Sequence, residues 1–310
     1  MSAALHSSTD AARTRAILFM IAAAICWSTG GLLVRMLSFS DAWEIVFWRS
    51  LFMATFVAAT LAVIHRGRTP GAVRAVGLAG ILSGAFLAGQ FFLFIASLTR
   101  TTVANTFVLM SVSPFLAALA ARMFLREPVP TRTWIAMAVA FAGMIVMFAD
   151  SLDAGRLAGN LLAVGVSCLF AANVTVLRRV HARVDMLPTV MIAGLMSIAV
   201  ALPLALPFQA TWRDLAVLAL MGSVQLGAGC LLMVAASRSL TATELGLLAL
   251  LEPILGPIWV WLLLGENPGP YALAGGAVVL GAVIANEVWA LWRAPARPAD
   301  AAPPAATPGP

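Results

Sequence analysis

The chain has 310 residues, of which 62% are hydrophobic and only 10% are charged, and its mean hydropathy is +0.97. This composition indicates an integral membrane protein rather than a soluble globular domain. The net charge of +6 would suggest nucleic-acid binding in a soluble protein, but the basic residues are all arginines that lie mostly between apolar runs. We therefore interpret them as topology signals and expect no nucleic-acid partner.

Ten apolar segments follow one another along the chain, and most approach the ~20 residues that a membrane-spanning helix needs. We number them segments 1 to 10, and they cover 16–34, 42–64, 75–98, 103–123, 133–149, 158–177, 187–207, 214–236, 243–264 and 270–292. The loops between them are short, so no soluble domain is inserted. Residues 1–15 are predicted to form a polar cytoplasmic N-terminal segment, and the Pro/Ala-rich residues 293–310 a disordered cytoplasmic tail.

The placement of the arginines predicts how the chain crosses the membrane. With the N-terminus inside, most of the 19 arginines fall in inner segments, whereas the outer loops hold only Arg35, Arg100, Arg156 and Arg213. The positive-inside rule therefore predicts a multi-pass inner-membrane (plasma-membrane) protein with both termini in the cytoplasm.

A repeated spacing indicates that the chain is duplicated. Pro114 and Glu127 are separated by 127 − 114 = 13 residues, and Pro253 and Glu266 by 266 − 253 = 13 residues. Adding 139 to the first pair gives the second. The sequence thus predicts two five-helix repeats, residues 16–149 and 158–292, joined by a periplasmic linker at 150–157. Because five is odd, the second repeat must be inverted in the membrane, a plan that recurs in transporters. The alternative is that apolar segments resemble one another by composition alone.

Glu252-Pro253 interrupts the apolar sequence of segment 9 near its middle. A charge at that depth costs ~2.5–3.5 kcal/mol or more unless it is paired or hydrated, and the proline leaves the carbonyl of Ala249 without its helical donor. Glu252 is therefore our first candidate for proton coupling or substrate recognition. The structural alternative is a protonated acid that hydrogen-bonds a neighbouring helix.

Four other polar or aromatic side chains lie inside segments and are candidates for a substrate cavity: Trp27, Arg49, Gln90 and Asn173. Arg49 could bind a carboxylate or reach toward the membrane surface; Glu44 is not on the same helical face as Arg49 and is a poor ion-pair partner. The amides could instead join helices, and the same holds for Gln225 and for Asn105, which could also cap its helix.

Helix breakers within the segments could act as hinges or as static kinks; they are Gly30, Gly31, Pro114, Pro253 and Pro257. Glu127 and Glu266 follow segments 4 and 9 and are expected to anchor loops or cap helices. The three cysteines, Cys26, Cys168 and Cys230, have no disulfide or metal-site spacing and are expected to be small buried residues. Gly80 and Gly84 have GxxxG spacing, which favours packing within the monomer over a dimer seam.

Three features together resemble the EamA family of the drug/metabolite transporter superfamily. Segment 1 has Cys26-Trp27-Ser28-Thr29-Gly30-Gly31 followed by Arg35, segment 2 has Phe47-Trp48-Arg49, and segments 4 and 9 have a mid-span proline and a terminal glutamate. The first repeat departs from the second in having Ser113 where Glu252 stands, so the carboxyl is single.

The resemblance covers about residues 16–290. It implies an all-α membrane protein of ten transmembrane helices in two inverted repeats, with a cavity lined by segments 1, 3, 4, 6, 8 and 9 and with segments 5 and 10 outside it. The implied function is secondary transport of a small organic metabolite, amino-acid-like or drug-like, by alternating access and in the outward direction. The alternatives are a passive facilitator and, from another class, an accessory subunit of a membrane enzyme.

Enzyme motifs are not evident: the sequence has no GxSxG, HExxH or P-loop pattern. We therefore expect no catalytic residues, no cofactor and no metal site. The expected partners are a small-molecule substrate and membrane lipid, with protons and a second copy of the chain as further candidates.

Overall fold

The computed structural model describes residues 2–64, 76–126, 128–153, 156–179, 186–236, 239–240, 245 and 248–293. A helix lies within each of the ten predicted segments. The helices are Ser2–Ser28 and Gly30–Arg35 in segment 1, Ala42–Ile64 in segment 2, Gly77–Leu98 in segment 3, Val103–Met110 and Ser113–Ala120 in segment 4, Thr131–Asp153 in segment 5, Leu157–Arg179 in segment 6, Met186–Ala201 in segment 7, Trp212–Leu220 and Gly229–Ala236 in segment 8, Leu251–Leu264 in segment 9 and Pro270–Arg293 in segment 10. Segment 4 continues as a π-helix over Ala121–Leu125, and a π-helix over Met221–Ala228 joins the two helices of segment 8.

Six stretches of the described chain are long and apolar enough to cross a membrane by length and composition. They are Ala12–Arg35, Ala42–Ile64, Gly77–Leu98, Val103–Leu125, Leu157–Val176 and Trp212–Ala236. Four shorter apolar helices occupy segments 5, 7, 9 and 10. Since a bilayer core is ~30 Å thick, helices of this kind are the structure that the sequence composition requires.

The structure differs from the sequence expectations at three places. The first helix starts at Ser2, so the polar stretch before segment 1 is helical; it contains no proline or glycine that would stop a helix. Segment 7 leaves the helix after Ala201, close to Pro203, whereas the apolar run continues to residue 207. The expectation that all three cysteines are buried is wrong, because Cys168 is exposed and Cys26 is only partly buried.

Helix breaks lie beside three of the predicted breakers, Gly30, Pro114 and Pro253, whereas the prediction is wrong for Gly31 and Pro257, which lie inside the continuous helices Gly30–Arg35 and Leu251–Leu264. In segment 4 a turn at Ser111 and Val112 separates two helices, and Pro114 lies in the first turn of the second. In segment 9 the helix begins after Leu250, so Pro253 also lies in a first turn. A proline in this position lacks only an N–H that the helix would not use. Segment 1 breaks at Thr29, directly before Gly30.

Contacts at one end of the bundle show that equivalent segments run in opposite directions. Segment 3 ends there, because the carbonyl of Leu98 accepts a 2.8 Å hydrogen bond from Arg35, and segment 4 starts there, because the N–H of Val103 donates to Glu266 after segment 9. Segment 8 starts there, because Asp214 accepts from Ser38. Segments 3 and 8 and segments 4 and 9 are therefore antiparallel, as an inverted repeat requires.

We call this the acidic end, because three carboxylates, Glu44, Asp214 and Glu266, lie there and hold loops to helices. Glu44 is fully buried and accepts hydrogen bonds of 2.9–3.0 Å from the backbone N–H groups of Gln209 and Ala210. Asp214 is 1% exposed. The arginine placement predicts that the acidic end faces the periplasm. Glu127, the first-repeat equivalent of Glu266, lies outside the described residues.

Asp214 forms a capping box with Thr211 and also fixes the loop after segment 1. Its two oxygens accept hydrogen bonds of 2.6–2.9 Å from the N–H and hydroxyl of Ser38 and from the N–H and hydroxyl of Thr211.

Thr102, rather than Asn105, caps segment 4, whereas the side-chain amide of Asn105 donates to Asn160 on segment 6. Buried polar contacts therefore set the helix ends.

Replacing Asp214 with asparagine should lower the free energy of unfolding by about 2 kcal/mol, because an amide nitrogen cannot accept the bonds that a carboxylate oxygen accepts. Thermal unfolding of the purified protein in detergent measures the change. Arg213→Gln is the control, since Arg213 is an exposed neighbour in sequence. Equal midpoints for Asp214→Asn and the unmodified chain would show that the cap contributes nothing.

Candidate functional site

Arg49 is a buried cation in the middle of the bundle. Its side chain is 3% exposed, and its guanidinium carbon lies 5.3 Å from the centre of the Phe91 ring and 5.7 Å from that of Phe94, both on segment 3. Segment 2 can present the arginine here because segment 8 approaches it closely: a Cβ on Gly222 would overlap the carbonyl oxygen of Arg49. The aromatic faces give the cation a favourable contact.

Glu252 is half-buried in the first turn of the segment 9 helix. The positive end of a helix dipole stabilises a negative charge in that position. Arg49 and Glu252 lie close enough for their charges to influence each other, and Cys230 on segment 8 belongs to the same packed group of side chains as Phe91 and Trp27. Among the described residues, however, neither side chain forms a hydrogen bond with the other or an ion pair within 4.0 Å.

Segment 8 completes this central cluster, which we define as Trp27, Arg49, Phe91, Phe94, Gln225, Cys230 and Glu252. Gln225 is 3% exposed, and its side-chain amide donates to the carbonyl of Trp27 at 3.2 Å. A Cβ on Gly229 would meet the Trp27 indole, and one on Gly30 would lie 3.1 Å from Nε2 of Gln225 and 3.4 Å from the Phe94 ring. Glycines therefore permit segments 1, 3 and 8 to meet at the cluster.

Three buried polar atoms of the cluster have no hydrogen-bond partner in the described chain: Nε1 of Trp27, Nε of Arg49 and Oε1 of Gln225. Most buried polar groups in proteins are satisfied, so such atoms are informative where they gather. A cation and an acid that belong to one cluster without forming an ion pair, beside two free donors and a free acceptor, can bind a charged or polar solute or exchange a proton.

The structure brings some of the sequence candidates together and leaves others apart. Trp27, Arg49 and Glu252 belong to the cluster. Gln90 donates to Phe86 of its own helix, and no described contact joins it to the cluster. Asn173 is buried, and its Oδ1 lacks a partner, but it lies on segment 6 without a described contact to Arg49.

Sequence reasoning missed Phe91, Phe94 and the significance of Gln225. Segment 3 is mostly apolar, so its sequence does not indicate which side chains contact Arg49. Gln225 lies in the π-helical turn of segment 8, and such turns are often found at functional sites. The sequence does not show where a π-helical turn forms, because that depends on how the helices pack. The closely spaced Gly222, Gly227 and Gly229 were the available signal. Trp259 also contributes a contact, because its indole donates to Ser28 at the break of segment 1.

At the acidic end, Arg35 and Glu266 form an ion pair with an N–O distance of 2.7 Å. Arg35 also donates to the carbonyls of Leu98 and Thr101, and Glu266 accepts from the N–H of Val103. The pair thus ties the ends of segments 1, 3 and 9 to the start of segment 4. The structure agrees with the expectation that Glu266 anchors a loop.

A cavity of about 250 Å³ lies beside this ion pair, lined by residues of segment 1 and the loop after it, including Arg35 and Ser38. A second cavity, of about 460 Å³, lies between segments 5 and 10 and is lined mainly by small apolar side chains. These two segments pack on each other, close to Gly143 and Gly275. They contribute no residue to the central cluster. The cluster differs from the cavity that the family resemblance implies, because it includes Arg49 of segment 2 and no residue of segments 4 and 6.

Comparisons with known proteins agree with this architecture. The sequence model of the family described as "EamA-like transporter family" matches residues 14–149 and again residues 157–286. A solved crystal structure aligns with 91% of this chain and 100% of its own, with a TM-score of 0.61 at 18% sequence identity, and it is one of 15 chains of solved structures that match. At that identity the likeness shows the fold alone. No curated protein matches significantly.

Proposed function

Because the chain belongs to the EamA-like transporter family, a family of membrane transporters for small molecules, we propose that it is a secondary transporter of the inner membrane that moves a small organic metabolite outward by alternating access. The observation that carries this proposal is the central cluster. Arg49 and Glu252 belong to the same cluster and do not form an ion pair. Ionisable groups within membrane spans mark substrate or ion pathways far more often than they stabilise a fold.

Glu252 is the group that we propose for coupling or recognition. It lies in the first turn of a helix that starts inside the bundle, where the helix dipole favours the ionised form and the apolar surroundings favour the protonated form. A carboxyl balanced between these two effects can take up a proton on one side of the membrane and release it on the other. Many transporters form their substrate and ion sites from discontinuous helices of this kind.

The acidic end is the proposed outer gate. The Arg35–Glu266 pair joins the ends of segments 1, 3 and 9 to the start of segment 4, so these segments cannot separate while it persists. Opening toward the acidic end requires this ion pair to separate. The interruptions of the helices at Thr29, Val112 and Leu250 are the places where the two halves of a segment can reorient.

The first test uses proteoliposomes that contain the purified protein and a mixed pool of amino acids and other metabolites. We expect solute movement, identified by mass spectrometry, that reverses when the imposed pH gradient is reversed. Glu252→Gln should reduce this movement by about fivefold or more and remove its dependence on the gradient, since an amide cannot carry the proton. Glu252→Asp, which keeps a carboxyl, should retain the dependence.

The other outcomes separate the alternatives. Movement that ignores the gradient in the unmodified protein would identify a passive facilitator and leave Glu252 a structural role. If no solute from a broad pool crosses the membrane, the result would contradict transport and favour the accessory subunit of a membrane enzyme. Unchanged rate and pH dependence in Glu252→Gln would remove Glu252 from the mechanism.

The gate predicts a change in accessibility at the cluster. Cys230 is buried, so in a chain that carries Cys26→Ala and Cys168→Ala it should react slowly with a small water-soluble methanethiosulfonate added on the side of the acidic end. Adding Glu266→Gln should accelerate labelling by about five- to thirtyfold, the effect of removing 1–2 kcal/mol from the closed state.

Arg100→Gln is the matched control for that experiment, because Arg100 is an exposed charge at the same end whose side chain donates to the carbonyl of Ala96 on its own helix. If Glu266→Gln and Arg100→Gln label at the same rate, the ion pair does not hold the gate closed.

A further inference from the structure

The side chain of Arg49 has no hydrogen-bond or ion-pair partner among the described residues. A guanidinium has five N–H donors, the residue is only 3% exposed, and Nε is fully buried without a partner. The guanidinium lies against the rings of Phe91 and Phe94. Burial of a charge without an acceptor is unfavourable, and ring faces offset only part of the cost. The site is therefore prepared for an acceptor that arrives from outside the chain.

The carboxylates of the acidic end cannot supply this acceptor. Glu44, one and a half turns away on the same helix, is held by the N–H groups of Gln209 and Ala210. Asp214 is held by Ser38 and Thr211, and Glu266 pairs with Arg35. Glu252 remains across the cluster, beyond ion-pair distance. In the protonated form that proton coupling requires, it would leave the charge of Arg49 unopposed.

The neighbouring atoms favour an anion over other ligands. The indole N–H of Trp27 is a second buried donor without a partner, and Gln225 links Trp27 to the part of segment 1 that lies against Phe94. The Trp27 N–H lies over Gly229 on segment 8, whereas Arg49 itself offers guanidinium donors beside two flat apolar rings. A planar oxyanion suits the fork of a guanidinium, which can bind it through two parallel hydrogen bonds.

We propose that the transported solute carries an anionic group, a carboxylate or similar oxyanion, that binds Arg49, and that its body lies against Phe91 and Phe94. This assignment rests on the proposed transport function and names the substrate class at the same cluster. Arg49 then determines specificity, because a neutral amide in place of the anion has only one acceptor for the fork, and an amine meets a like charge.

The test compares matched solutes that differ only in this group: phenylacetate, phenylacetamide and phenethylamine; indoleacetate, indoleacetamide and tryptamine; isovalerate, isovaleramide and isoamylamine. Each is added to the purified full chain, and stabilisation against thermal unfolding is measured. The nine compounds are also loaded together into proteoliposomes, and mass spectrometry identifies which of them cross. We expect the carboxylates to stabilise the protein and to cross in preference to their amides and amines.

Arg49→Gln should weaken carboxylate binding by about tenfold or more, the loss expected for hydrogen bonds to a charged group. Arg49→Lys, which keeps the charge and loses the fork, should show an intermediate loss. Arg100→Gln should bind as the unmodified chain does. Should Arg49→Gln fail to fold, the Arg49→Lys variant and the comparison within each solute series on the unmodified chain still decide the question.

The results distinguish failure of this assignment from failure of transport. Amides or amines that bind and cross as well as the carboxylates would overturn the anionic class and leave transport standing. The same conclusion follows if solutes cross but no carboxylate stabilises the protein, or if Arg49→Gln keeps the unmodified affinity. No movement of any solute, here or from the broad metabolite pool, would contradict the transport function itself.

Discussion

The structure depends on one constraint: inside a bilayer, a polar group that the protein does not satisfy finds no water to satisfy it. Helices meet this constraint for the backbone, and the acidic end meets it for three carboxylates. Glu44 and Asp214 accept backbone N–H groups from loops that would otherwise be unsatisfied, and Glu266 neutralises Arg35. Each carboxylate there closes a junction between elements distant in sequence.

Against this background the central cluster is an exception that needs a reason. The same chain that satisfies its acids at one end leaves the guanidinium of Arg49, the indole N–H of Trp27 and the amide oxygen of Gln225 without partners at the centre. Natural structures keep such groups where function requires them, since removing them would stabilise the fold. A protein that only had to span the membrane could place leucine at these positions. The polar groups at the acidic end have hydrogen-bond partners, whereas those of the central cluster lack them. This contrast is the main argument for a solute site at the cluster.

Much of the fold could be predicted from the sequence, because the signals were periodic or local. Apolar runs located a helix in every segment, and the matched prolines located the breaks of segments 4 and 9. Glu252 could be singled out because a single charge in an apolar run is visible without a structure. The site around it could not be assembled in the same way. Arg35 and Glu266 are 231 residues apart, and Arg49 meets Phe91 only because segments 2 and 3 pack at one particular rotation. The exposure of Cys168 likewise depends on which face of segment 6 turns outward.

The inverted repeat explains why the site is asymmetric although the fold is nearly symmetric. Both repeats break a helix and start a new one with proline in the first turn, so both offer the positive end of a helix dipole inside the bundle. In the first repeat the residue at that point is Ser113, whose hydroxyl is satisfied by the carbonyl of Met110 at 2.6 Å and by Ser167 at 2.9 Å. In the second repeat it is Glu252, which forms no hydrogen bond in the described chain. Duplication thus supplied two equivalent positions, one of which became a packing contact between segments 4 and 6. The other position holds an ionisable group in the same cluster as Arg49, so these two equivalent positions together provide a single carboxyl.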